Sequence, residues 1–184
     1  MQAKKAEVCA VKRKPILLLV LAALCTALTT VATMVIQIPS PMSGYVNLGD
    51  CMVLLSAWLL GPFVGAAAAG VGSMLADVIT GYAYYAPGTL VIKAAMALAA
   101  GLIFYAVAGK GARGARALAA RLSGALVAEA IMVLGYFVYA GAILGNGLSA
   151  AASIPGNLVQ AVFGLAAALI LVQILEKAKA LPQV

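Results

Sequence analysis

Charge is nearly absent from this chain, and where it occurs it is clustered. Eleven of the twelve Lys and Arg residues fall in three places: the N-terminal tail, a short stretch around residue 115, and the C-terminal tail. The twelfth, Lys93, lies inside an apolar run. Only 9% of the residues are charged and 65% are hydrophobic, whereas a soluble domain carries about 25% charged residues. No soluble fold of 184 residues hides that much apolar surface. The chain is therefore expected to be an all-α, multi-pass membrane protein. Its net charge of +7 sits at the ends of apolar spans, where Lys and Arg mark the cytoplasmic side. The excess is a topology signal in a lipid bilayer, and no nucleic-acid partner is expected.

The chain has no His. That excludes His-based general acid/base chemistry, His-ligated haem and most zinc chemistry. Cys9, Cys25 and Cys51 have no metal-ligand spacing. No enzymatic activity, metal or cofactor is expected. Lys12-Arg13-Lys14 ahead of an apolar run has the look of a secretory signal. The run from Pro15 to Ile38 is 24 residues, however, which exceeds a signal core of about 7–15 and suits a membrane span.

Apolar runs cover 15–38, 46–80, 87–108, 122–144 and 154–175. The second is 35 residues, about 52 Å as one helix, against a hydrocarbon core of about 30 Å. Gly61-Pro62 near its middle is a turn signal. Charge decides whether the run is one span or two. With five spans, Lys110, Arg113, Arg116, Lys177 and Lys179 would lie opposite Lys12-Arg13-Lys14. With six, all three clusters share the cytoplasmic face, as the positive-inside rule requires. The expectation is six transmembrane helices with both termini cytoplasmic. Residues 1–14 form a basic tail, 15–176 one membrane domain, and 177–184 a second tail. Helices 2 and 3 are then short, about 15 and 18 residues within the 46–80 run.

On that topology the polar residues collect in the outer half. Asn47 and Asp50 start helix 2, Asp77 ends helix 3, and Tyr84 and Tyr85 lie in the next outer loop. Thr89 and Lys93 open helix 4, and Asn157 and Gln160 open helix 6. Glu129 is the deepest charge, on helix 5, with Tyr136 and Tyr139 above it. A charge at mid-bilayer costs about 2.5–3.5 kcal/mol on insertion scales, so such residues are paired or functional. One reading is mutual pairing, Lys93 with Asp77 or Asp50, and an interfacial tyrosine belt at Tyr82, Tyr84 and Tyr85. The other is an outward-facing pocket for a small solute with an aromatic face. Tyr rings would stack on it, and Asn, Asp and Lys would fix its edges.

The inner half is rich in Ala, Gly and Leu, with small residues four apart: Ala23 and Ala27, Gly61 and Gly65, Ala66 and Gly70, Ala97 and Gly101. Such spacing lets helices approach closely. Ala23 and Ala27 lie on helix 1, which contributes least to the polar cluster. Their face is read either as internal packing or as a dock for another membrane protein.

From residue 44 to 101 an ordered series of motifs appears: Gly44-Tyr-Val-Asn-Leu-Gly-Asp50, Leu60-Gly-Pro-Phe-Val-Gly65, Gly72-Ser-Met-Leu-Ala-Asp77, Gly81-Tyr, Tyr85-Ala-Pro-Gly-Thr89 and Lys93. The series resembles the substrate-binding S components of energy-coupling-factor (ECF) vitamin transporters, in the subgroup for riboflavin, hydroxymethylpyrimidine or pyridoxine-type substrates. That resemblance implies capture of a vitamin from outside the plasma membrane. Delivery would require a transmembrane T subunit and two cytoplasmic ATPases, with the S component toppling in the membrane. Ala23 and Ala27 then match the motif by which S components dock the T subunit. The chain has no phosphate-binding Gly-Lys-Ser/Thr motif of its own, and it departs from nickel and cobalt members, which need an N-terminal His. Two other classes compete. One is a stand-alone proton-coupled carrier using Glu129 or Asp77; the other is a membrane enzyme holding a metal between Asp50 and Asp77. The topology has a direct test: in a cysteine-free background, Arg113→Cys should be labelled by an impermeant thiol reagent only from the cytoplasmic side. Labelling from outside would overturn the six-span arrangement.

Overall fold

The computed structural model describes residues 2–40, 44–109 and 112–178, and for residues 2–14 the helical backbone alone. Lys110, Lys179 and the rest of the C-terminal tail lie outside the described residues. The described chain is helical apart from one small hairpin. Helix α1 spans Gln2–Val35, and its apolar part begins at Pro15. Strands β1 (Gln37–Pro39) and β2 (Tyr45–Asn47) then pair antiparallel, with Ile38 opposite Val46. Five further helices follow: α2 (Gly49–Leu60), α3 (Pro62–Ile79), α4 (Ala86–Val107), α5 (Gly114–Val138) and α6 (Ile154–Lys177). One π turn, Tyr139–Ile143, extends α5, and a 3-10 segment, Gly147–Ser153, leads into α6.

The expected break at Gly61-Pro62 is present. Gly61 takes φ 87°, a left-handed conformation that suits glycine, and Pro62 opens α3 where its missing N–H costs nothing. Five helices are long and apolar enough to cross a membrane. The sixth, α2, is shorter than expected, at 12 residues, or about 18 Å. It is also the most enclosed: ten of those residues are buried, and α1, α3, α4 and α6 all pack around it. A helix wrapped by protein on every side does not need to match the bilayer thickness.

The helices alternate in direction, so each end of the bundle has its own residues. At one end the hairpin lies beside the starts of α2, α4 and α6 and the ends of α3 and α5. At the other, the α2–α3 turn meets the end of α4, where the Tyr105 hydroxyl points at the Trp58 carbonyl at 3.4 Å. The Arg116 Nε donates to the Val107 carbonyl at 2.8 Å at this same end. Leu18, Leu21 and Ala22 of α1 pack here against the buried cluster of Cys25, Leu60 and Ala68. Arg113, Arg116 and Lys177 are therefore gathered opposite the hairpin.

The outer surface is apolar. Phe63, Val162, Leu126 and Ile170 are all more than half exposed, as lipid-facing side chains should be. Close helix crossings rest on small residues. A Cβ on Gly65 would stand 2.7 Å from the Ala57 Cα, and one on Gly101 2.7 Å from the Pro62 Cα. The α1–α3 crossing is equally tight: a Cβ on Gly72 would meet the Thr26 carbonyl oxygen at 2.6 Å. The Thr30 hydroxyl donates to the Gly72 carbonyl there at 2.9 Å. Gly72→Leu should therefore lower stability by about 1–3 kcal/mol, read as a fall in unfolding temperature in detergent. Val162→Leu on the lipid face should leave that temperature unchanged.

Candidate solute-binding site

A cavity opens at the hairpin end. The empty space around it is about 440 Å³, counting open solvent at its mouth. Ser40, Gly44, Tyr45 and Asn47 line it from the hairpin and the residues beside it. Asp77 lines it from the end of α3, and Tyr85 and Thr89 from the start of α4. Tyr136 and Ala140 come from the end of α5, and Ser153 and Asn157 from the approach to α6. Local sequence explains this convergence. Pro87 and Pro155 open α4 and α6, and the π turn after Val138 re-aims the end of α5 just where Ala140 meets the cavity.

Six of the residues expected at a pocket line this cavity: Asn47, Asp77, Tyr85, Thr89, Tyr136 and Asn157. Asp50, Lys93, Glu129 and Gln160 do not; they are buried beside it. For Asp50, Lys93 and Gln160 the reason is mutual satisfaction. The Lys93 ammonium pairs with the Asp50 Oδ1, and the Gln160 Nε2 donates to the Asp50 Oδ2 at 2.6 Å. The Gln160 Oε1 accepts the Asn47 backbone N–H at 2.8 Å, and the Asn47 Oδ1 accepts the Gly49 N–H at 2.8 Å at the start of α2. Of the two pairings open to Lys93, the structure takes Asp50 over Asp77. Glu129 is only 5% exposed, and neither carboxylate oxygen has a hydrogen-bond partner. Tyr84 stands outside the cavity, 45% exposed.

The sequence reading passed over Tyr45 as a site residue. Its hydroxyl donates to the Asp77 Oδ1. Burial first, and the neighbouring Asp77 carboxylate second, push the Tyr45 phenol above its ordinary value, so it remains a protonated donor at physiological pH. The hairpin is what reveals it: in a strand Tyr45 and Asn47 face the same side. The tyrosines form a continuous series, with ring centroids 4.6 Å apart for Tyr45–Tyr82, 5.2 Å for Tyr84–Tyr85 and 6.2 Å for Tyr85–Tyr136. The Tyr136 hydroxyl shares a 3.1 Å hydrogen bond with the Thr89 hydroxyl. Tyr139 donates to the Tyr84 carbonyl at 2.8 Å. Among the described residues no cluster of His, Cys, Asp and Glu could hold a metal ion.

Residues 14–177 match the family described as ECF-type riboflavin transporter, S component. The chain belongs to that family. A Pyrococcus woesei relative, described as an uncharacterized protein in gap 3'region, is 42% identical over 137 residues. That alignment covers 74% of this chain and 86% of the relative. A solved S component of a bacterial ECF transporter superposes with a TM-score of 0.68 at 18% identity. The superposition spans 89% of this chain and 98% of that one, and it establishes the shared fold. ECF S components are substrate-binding parts of transporters and not a class of enzyme, so the expectation of a non-catalytic, multi-pass membrane protein agrees with the family.

The buried pair allows a sharp test. Lys93→Met leaves the Asp50 carboxylate without its cation and should cost about 3–5 kcal/mol of stability. Adding Asp50→Asn removes the second charge and keeps an acceptor for Gln160. Most of the loss should then be recovered, as read by thermal unfolding in detergent. If the double variant is no more stable than the single one, the loss does not come from an unpaired Asp50 carboxylate.

Proposed function

We propose that this protein is the membrane-embedded substrate-capture subunit of an ECF-type importer in the plasma membrane. It binds a small vitamin or vitamin precursor of the pyridoxine, hydroxymethylpyrimidine or riboflavin type from outside. It delivers that solute together with a transmembrane T subunit and two cytoplasmic ATPases. The observation that carries this reading is the preformed cavity, walled by tyrosines and edged by amide and carboxylate groups, in a member of this family. Asn47, Asp77, Tyr85, Thr89, Tyr136 and Asn157 would contact the solute. Asp50, Lys93, Glu129 and Gln160 would support the contact residues from behind.

The cavity stands at the end opposite Arg113, Arg116 and Lys177. With the basic end in the cytoplasm, the cavity faces outward and the six helices alternate across the bilayer, α2 doing so from within the bundle. Helix α1 turns Cys25, Thr29 and Thr33 into the protein and leaves Ala23 and Ala27 exposed on its outer side. The exposure of this small-residue pair supports a role in docking to a T subunit.

Two measurements test the reading. The purified protein should carry a stoichiometric small molecule identifiable by mass spectrometry, with calorimetry giving the affinity. Trp58 is a poor reporter, since it lies near Arg121 at the far end of the bundle. Ala23→Trp and Ala27→Trp should each abolish uptake in cells supplying the T subunit and ATPases, with ligand affinity retained. Loss of binding in both variants would return the pair to a structural role, and uptake without any ATPase would overturn the proposal.

A further inference from the structure

The cavity end of the bundle has an uneven charge balance. Asp50, Asp77 and Glu129 lie in or beside the cavity, and Lys93 is the one cation among the described residues there. Lys93 is committed to Asp50. Asp77 is the one charged residue lining the cavity among the described residues. The adjoining Pro41, Met42 and Ser43 add no charge by sequence.

Asp77 is only 2% exposed. Its Oδ1 receives the Tyr45 hydroxyl, while its Oδ2 is buried without a hydrogen-bond partner. The Thr89 hydroxyl lies beside it and also shares a hydrogen bond with the Tyr136 hydroxyl, in which either oxygen can donate. A buried carboxylate oxygen left unpaired is costly, so the missing partner is expected to come from the solute. Around it, Tyr45, Tyr85 and Tyr136 line the same cavity, and ring faces attract cations. An anionic solute would meet a carboxylate with no available counter-charge. A neutral ring without a donor would leave the Oδ2 unsatisfied.

We propose that the cavity selects an amino-bearing nitrogen heterocycle that carries positive charge when bound, with the Asp77 Oδ2 as its hydrogen-bond acceptor and the tyrosines as its stacking wall. This rests on the capture-subunit reading and narrows it. Of the three solute types considered above, the aminopyrimidine type supplies such a group. Riboflavin offers no cationic amine, and pyridoxine carries a hydroxymethyl group where its relative pyridoxamine carries an amine.

The test uses the full-length protein in detergent and calorimetry. The probes are 4-amino-5-hydroxymethyl-2-methylpyrimidine, thiamine, riboflavin, and the matched pair pyridoxamine and pyridoxine. The amino-bearing or cationic probes should bind about tenfold or more tighter than the neutral ones, the size of one charge-assisted hydrogen bond. Asp77→Asn should erase that preference. Tyr45→Phe, which keeps the carboxylate, should retain it. The preference in the unmodified protein decides the question even if Asp77→Asn fails to fold. Riboflavin or pyridoxine binding as tightly as the amines, or a preference that survives Asp77→Asn, overturns the inference and leaves the capture-subunit reading standing. If none of the probes binds, the inference is also overturned. Co-purification with a T subunit and two ATPases then judges the broader reading separately.

Discussion

The Lys93–Asp50 ion pair is the constraint around which the bundle is arranged. Both residues are almost fully buried, and a charge left alone in such surroundings is far more costly than a pair. The pair ties α2 to α4. Gln160 brings α6 to the same point by donating to the other Asp50 oxygen, and it reaches the hairpin through the Asn47 N–H. Gly164 makes the approach possible, since a Cβ there would stand 2.7 Å from the Asp50 Cβ. Once these contacts form, the register of three helices and one strand is set. Tyr136, whose ring centroid lies 5.4 Å from the Lys93 ammonium, then reaches across the cavity toward Thr89.

The two ends of the bundle are built for different tasks. At the hairpin end, polar groups surround an open space, and the Asp77 Oδ2 still lacks a partner. At the other end the buried polar groups include an ion pair set against aromatic rings. Arg121 meets Glu176 at 2.9 Å and lies against the rings of Phe104 and Trp58, 5.1 and 5.9 Å from their centroids. One end surrounds an open cavity with hydrogen-bonding groups, while the opposite end carries the basic residues Arg113, Arg116 and Lys177.

Much of the architecture was legible in the order of the residues. The apolar runs and the Gly61-Pro62 break specify six helices, because span length and a turn residue act locally. The clustering of Asn47, Asp77, Thr89 and Asn157 at one end follows from alternating helix direction. What could not be read was the partner of each group. Lys93 had two carboxylates within plausible reach, and only helix rotation chose Asp50. Tyr45 was hidden because the hairpin is three residues per strand, too short for a clear alternating pattern.

Composition alone determined that this chain lives in a bilayer, since an uncharged surface of this extent has no other stable solvent. Positions of Lys and Arg carry the expectation of how its ends are oriented, because charge placement is a property of the linear chain. Tertiary structure decided which charges neutralise one another and which line the cavity. It also decided that α2, too short to span a membrane alone, is enclosed by its neighbours. Those outcomes depend on distances across helices, where a rotation of one residue exchanges a lipid-facing side chain for a buried one.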